Sequence, residues 1–89
     1  MNEKIMINTP LPHGWLQDGQ KLIYMHTFTS FKSALNFVNA VAELAEEHNH
    51  HPDIKISYRN VTLSLTTHDA GALTDKDYSL ATIINGIPV

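Results

Sequence analysis

The feature that most constrains how this chain folds is a change in the spacing of its apolar residues, and the change happens twice. Across residues 21–29 the side chains alternate, with Leu22, Tyr24, His26 and Phe28 on one face and Ile23, Met25 and Thr27 on the other. That is the period of a β-strand. After Thr29 the period becomes helical. Phe31, Leu35, Val38, Ala42 and Ala45 recur along one face, and Ala34, Phe37, Val41 and Leu44 widen the stripe,. Thr29 or Ser30 is the expected N-cap. The helix is expected to end near His48, because Asn49 and Pro52 follow and the residue before a proline is pushed out of the helical region.

The same switch recurs downstream. Ile54, Ile56 and Tyr58 alternate with Lys55 and Ser57, Arg59-Asn60 reads as a turn, and Val61, Leu63, Leu65 and Thr67 then share a face. A loop follows, and Thr74-Asp75-Lys76-Asp77 has the pattern of a capped helix start,. The last helix is expected to bury a stripe of Tyr78, Ala81 and Ile84, with Leu80 at its margin, and Gly86 and Pro88 are expected to stop it,. Upstream, Asp18-Gly19 is a hairpin signal. The order β-β-α-β-β-α predicts an α+β fold in two layers. A four-stranded antiparallel sheet carries both helices, near residues 30–48 and 74–86, on one face.

At 89 residues the chain is long enough for one domain, expected to span 1–89,. Residues 1–12 are expected to be a loosely ordered lead-in, since Pro10 and Pro12 interrupt it,. The net charge of −3 provides no basic footprint for nucleic acid or for a membrane surface,. No apolar run approaches the roughly 20 residues that span a bilayer. With no signal-peptide-like stretch at the start, a cytoplasmic protein is expected. The chain has no cysteine, which excludes disulfides, thiolate nucleophiles and cysteine-based metal centres.

Histidine is the unusual residue. There are six in the chain, and three fall within 48–51, in the run Glu46-Glu47-His48-Asn49-His50-His51-Pro52-Asp53 at a helix end. His68 closes the following strand and Tyr58 lies between. Histidine gives and takes protons near neutrality, with an ordinary pKa of about 6.5. Two or three imidazoles oriented by carboxylates suffice for proton transfer without metal or cofactor. Plainer readings compete. His48 suits an exposed helix end that complements the dipole, His50 and His51 suit an idle loop pair, Trp15 suits core or rim, and Asp77 suits a cap. A zinc site from His48, His50, His51, Asp53 and His68 is a further alternative. Adjacent histidines point differently, however, and no H-x-x-x-H pair organises such a site.

Taken together, these residues resemble the pterin-4a-carbinolamine dehydratase family. Its signature is an acid, three residues, His-His-Pro, five or six residues, an aromatic, nine residues, a His, and an Asp some eight to fifteen later. Here Glu46, His50-His51-Pro52, Tyr58, His68 and Asp77 satisfy every gap. Gly14-Trp15, the strand and loop from Val61 to Gly71, and Leu73 to Asp77 resemble the family as well, over roughly residues 14–84. The start departs from it, because members usually carry an initial helix before the Gly-Trp.

The resemblance implies the β-β-α-β-β-α fold and the dehydration of 4a-hydroxytetrahydrobiopterin to quinonoid dihydropterin and water. That reaction recycles the pterin of aromatic amino acid hydroxylases. It also implies roles: His50 and His68 sharing the acid and base work, with the division between them left open, His51 binding and orienting the pterin, Glu46 and Asp77 holding imidazoles or the pterin's polar edge, and Trp15 lining the pocket. No cofactor and no metal are implied. The expected partners are a small-molecule pterin and copies of the same chain, in a homodimer or homotetramer. The alternative from another class is a protein-interaction module, since some family members act as a dimerisation cofactor of a transcription factor.

Overall fold

In the computed structural model, which describes residues 4–6 and 9–89, the elements follow the expected order. They are β1 (Leu16–Asp18), β2 (Lys21–Thr27), α1 (Phe31–His48), β3 (Asp53–Ser57), β4 (Asn60–Leu65) and α2 (Asp75–Ile84). The strands form one antiparallel sheet in the order β1-β2-β4-β3. The register pairs Leu22 with Leu65, Tyr24 with Leu63 and His26 with Val61. One face is therefore apolar, and Leu22, Val61, Leu63 and Leu65 are buried on it. On the other face Met25 is exposed and Ile23, Thr62 and Ser64 are half-buried. Both helices cover the apolar face, where Ala34, Phe37 and Val41 of α1 meet Leu80, Ala81 and Ile84 of α2 in one core. Each leucine fully removed from water there contributes about 1.5–3 kcal/mol.

The α1 stripe is rotated from the one expected. Ala34, Phe37, Val41 and Ala45 are buried, whereas Phe31 and Ala42 are exposed and Leu35 and Val38 only half-buried. The flanking residues of the sequence stripe form its true centre, because the helix has to face both the sheet and α2. The two turns each differ by one residue. The first loop is Gly19-Gln20, with Asp18 paired to Lys21 and Gly19 at a φ of 61° that glycine adopts without strain,. The second is Tyr58-Arg59, not Arg59-Asn60. Asn60 is drawn into β4 by its pairing with Thr27, whose hydroxyl donates to Asn60 Oδ1 at 2.6 Å. Tyr58 is consequently 69% exposed at a φ of 56°, with the Arg59 guanidinium 5.8 Å from its ring centre.

Part of the lead-in is tied down. Ile5 bridges Thr74, Met6 N–H donates to Leu73 at 3.0 Å, and Asp75 N–H donates to Lys4 at 2.9 Å. Residues 1–3, 7 and 8 lie outside the described residues. No helix among the described residues is long and apolar enough to cross a membrane.

The ends of α1 show why the chain leaves it where it does. Ser30 Oγ accepts from Ser33 N–H at 3.0 Å, which makes it the N-cap. At the other end Asn49 takes the left-handed conformation, with φ 51° and ψ 42°. Its N–H donates to Glu46 O at 3.3 Å, and His50 N–H donates to Ala45 O at 3.1 Å. This is a Schellman closure, which satisfies the last carbonyls and fixes the main chain of His50. Asn49→Gly should therefore leave stability almost unchanged, whereas Asn49→Val should lower it by about 1–2 kcal/mol. Urea unfolding of the two variants measures this, and equal stability of the two would contradict it.

Candidate active site

The Schellman turn delivers His50 to the start of α2. There its Nε2 lies 2.7 Å from Asp77 Oδ1. Asp77 is fully buried, and the His50 side chain is 12% exposed. Asp77 occupies the third position of α2 and completes a capping box with Thr74, whose N–H donates to Asp77 Oδ2 at 3.0 Å,. The Thr67 hydroxyl reaches the same oxygen at 2.8 Å and Thr74 Oγ1 at 2.7 Å. A buried carboxylate is tolerable only when donors surround it, and the helix N-terminus adds its favourable dipole. No buried side-chain nitrogen or oxygen among the described residues lacks a partner.

A second pair stands beside the first. His51 Nε2 lies 2.5 Å from Glu46 Oε2, one turn back along α1, and both side chains are largely exposed, at 54% and 77%. The two histidines thus occupy different environments: one is anchored to a buried acid, the other to a solvated one.

His68 follows Thr67 directly and is exposed in the turn after β4. Gly71 N–H donates back to His68 O at 3.1 Å and to Thr67 O at 3.0 Å. The chain therefore reverses there, and His68 sits one residue from the network that holds Asp77. No hydrogen bond or ion pair joins its side chain to His50 or His51 among the described residues. His48 is exposed in the last turn of α1. Among the described residues, no group of three or more histidines and acids is arranged to hold a metal ion.

Trp15 is not brought to this cluster. It is buried at 3% exposure, its ring centre is 5.3 Å from that of Tyr24, and its Nε1–H donates to Asn85 at 2.9 Å. Asn85 caps the far end of α2, eight residues from Asp77 and so about 12 Å along the helix. A cleft of about 330 Å³ opens there, bordered by Gly14, Tyr24 and Asn85. Burial raises the Tyr24 phenol above its ordinary pKa. Tyr58, the aromatic of the signature, points into solvent at the hairpin tip.

In the sequence Thr67 shows no role beyond sharing a face with Val61, Leu63 and Leu65. The available signal was a hydroxyl residue continuing the buried phase of Val61, Leu63 and Leu65. A polar group in that phase needs a buried partner.

The model of one known family, described as pterin 4 alpha carbinolamine dehydratase, matches residues 2–87. The chain belongs to that family. A Roseiflexus relative, whose name assigns it provisionally as a pterin-4-alpha-carbinolamine dehydratase, is 55% identical over 74 residues, covering 83% of this chain and 80% of its own. A Thermomicrobium roseum protein with the same provisional name is 53% identical over 68 residues, 76% of this chain and 73% of its own. Among solved structures, a transcriptional coactivator/pterin dehydratase from Brucella melitensis superposes with a TM-score of 0.79 at 28% identity, covering 83% of this chain and 81% of that one. A pterin dehydratase-like RuBisCO assembly factor of the alpha-carboxysome superposes at 0.66 and 23% identity, over 85% and 94% of the two chains. At that identity the likeness concerns the fold.

Asp77→Ala should lower the unfolding free energy by about 2–4 kcal/mol, since two buried donors lose their acceptor and the capping box of α2 loses its N3 half,. Glu46→Ala, in a solvated pair, should barely move it. Urea unfolding followed by circular dichroism separates the two, and similar losses would contradict the burial argument.

Proposed function

We propose that the chain is a 4a-hydroxytetrahydropterin dehydratase acting by acid–base catalysis with its own histidines. The observation that carries this is the His50–Asp77 pair at 2.7 Å, with the histidine side chain 12% exposed and the aspartate fully buried. Such a pair presents one imidazole nitrogen outward while the other is held by a fixed acceptor.

The reaction needs little more. A ring nitrogen of the carbinolamine gives up its proton, and the electron pair left behind forms a C=N bond. The C4a–O bond breaks, and the hydroxyl leaves with a second proton as water. His50 serves one of these proton transfers and His68 the other. His51, steadied by Glu46, binds the polar edge of the pterin from the solvent side. The family membership and the named relatives support the substrate class.

His50→Ala and His68→Ala should each lower kcat, within the range of about 10²–10⁴ typical of general acid–base groups and toward its lower end, since the carbinolamine also dehydrates unaided. His51→Ala should raise KM more than it lowers kcat. His48→Ala should leave both unchanged, and a chelator should have no effect. Ultraviolet absorbance during dehydration of synthetic 4a-hydroxytetrahydropterin reads all of these. Wild-type rates in both the His50 and His68 variants would overturn the assignment.

A second reading, as a protein-interaction module, is favoured by one observation. Phe31 is 46% exposed at the head of α1, in line with half-buried Leu35 and Val38. A binding role on that face would survive loss of the histidines. We also propose self-association, because β1 and β3 are the edges of the sheet and open edges pair. Light scattering should show at least a dimer at micromolar concentration.

A further inference from the structure

We propose that Thr67 is a positioning residue for the His50–Asp77 pair: its hydroxyl fixes the Asp77 carboxylate and thereby sets which nitrogen of His50 carries the proton. The inference rests on the dehydratase reading of the same site.

The direction of every hydrogen bond in the network follows from what each group can do. A carboxylate only accepts, so Thr67 donates its O–H to Asp77 Oδ2 at 2.8 Å, beside the 3.0 Å bond from Thr74 N–H. Thr67 Oγ1 is then the acceptor toward Thr74 Oγ1, 2.7 Å away, so the Thr74 hydroxyl donates. Thr74 Oγ1 in turn accepts from Lys76 N–H at 3.3 Å. With Oδ2 committed to two donors, Oδ1 is presented to His50, which must donate through Nε2–H at 2.7 Å. The neutral imidazole therefore keeps its lone pair on Nδ1, and this is the atom through which His50 exchanges a proton with substrate.

Thr67 is suited to hold this arrangement because its main chain is itself pinned. Its N–H donates to Ala72 O at 3.3 Å, and its carbonyl accepts from Ala70 and Gly71 at 3.1 and 3.0 Å. The residue is 5% exposed, and Thr74 and Asp77 are fully buried, so no water competes for the carboxylate. Removing the hydroxyl leaves Oδ2 with one donor and lets the carboxylate rotate.

The experiment compares Thr67→Val, which keeps the shape and removes the donor, with Thr67→Ser, which keeps the donor and removes the methyl. Two readouts are taken on the full chain: kcat and KM with synthetic 4a-hydroxytetrahydropterin, and the His50 tautomer by ¹⁵N NMR of the imidazole. The valine variant is expected to lose about 10-fold in kcat, the weight of one hydrogen bond to a charged acceptor. Its KM should stay near that of the wild type, and His50 should become a mixture of tautomers. The serine variant should restore the wild-type rate and the single Nε2–H form. Wild-type kcat and tautomer in the valine variant, or an equal loss in the serine variant, would overturn the proposal. If the valine variant does not fold, Thr67→Ala is read in the same way. An Nδ1–H form of neutral His50 in the wild type overturns the proposal without any variant. Should the wild type fail to dehydrate the pterin, the dehydratase reading falls, while the NMR comparison still decides the role of Thr67.

Discussion

A carboxylate with no exposure to water is the point on which the rest of this structure turns. Asp77 sits where the core, the start of α2 and the end of β4 meet, and it is satisfied on both oxygens by groups from three segments. Each donor comes from an element placed by something else: His50 by the Schellman turn of α1, Thr67 by the bridge to Ala72, Thr74 by the cap of α2. The carboxylate thereby makes the mutual placement of these segments specific. Hydrophobic burial brings α1, α2 and the sheet together, but it is non-directional. The polar network fixes where the helix ends lie relative to the strand end.

The two histidine pairs illustrate how one short stretch of chain presents two chemistries. His50 and His51 are neighbours in sequence, yet they reach different partners. One reaches the buried Asp77, whose position is rigid. The other reaches Glu46, whose side chain is 77% exposed, so their attraction is screened by water. A fixed imidazole suits proton transfer, and a solvated one suits grip on a polar substrate edge. The lead-in reinforces this region, since Lys4 and Met6 hydrogen-bond to residues 73–75 just before Asp77.

The relatives show that this framework carries more than one task. A Brucella structure is described as both transcriptional coactivator and pterin dehydratase, and a carboxysome protein of the same fold is described as an assembly factor. The division is physically reasonable, because the polar network occupies one end of α2 whereas the exposed side of α1 and the sheet edges lie elsewhere. The fold alone therefore does not fix the function, which lies in the site.

The sequence by itself determined the element order, the one-sided sheet, both helix starts and the stop at Asn49, because each is written in local periodicity or in a cap that acts over a few residues. Glu46, His50, His51, His68 and Asp77 stood out through resemblance to a family signature. Tertiary structure decided what spacing could not. It rotated the buried stripe of α1 toward Phe37 and Val41, since that helix must face two partners at once. It moved the second turn to Tyr58-Arg59, since the ladder between β2 and β4 claims Asn60. It carried Trp15 to the far end of α2, away from His50 and Asp77. Above all it brought His50 and Thr67, 27 and 10 positions away in sequence, onto the Asp77 carboxylate. Local sequence specifies which groups need a partner, but a hydrogen bond forms only between atoms about 3 Å apart, and which distant groups come that close is settled by how the helices and sheet pack.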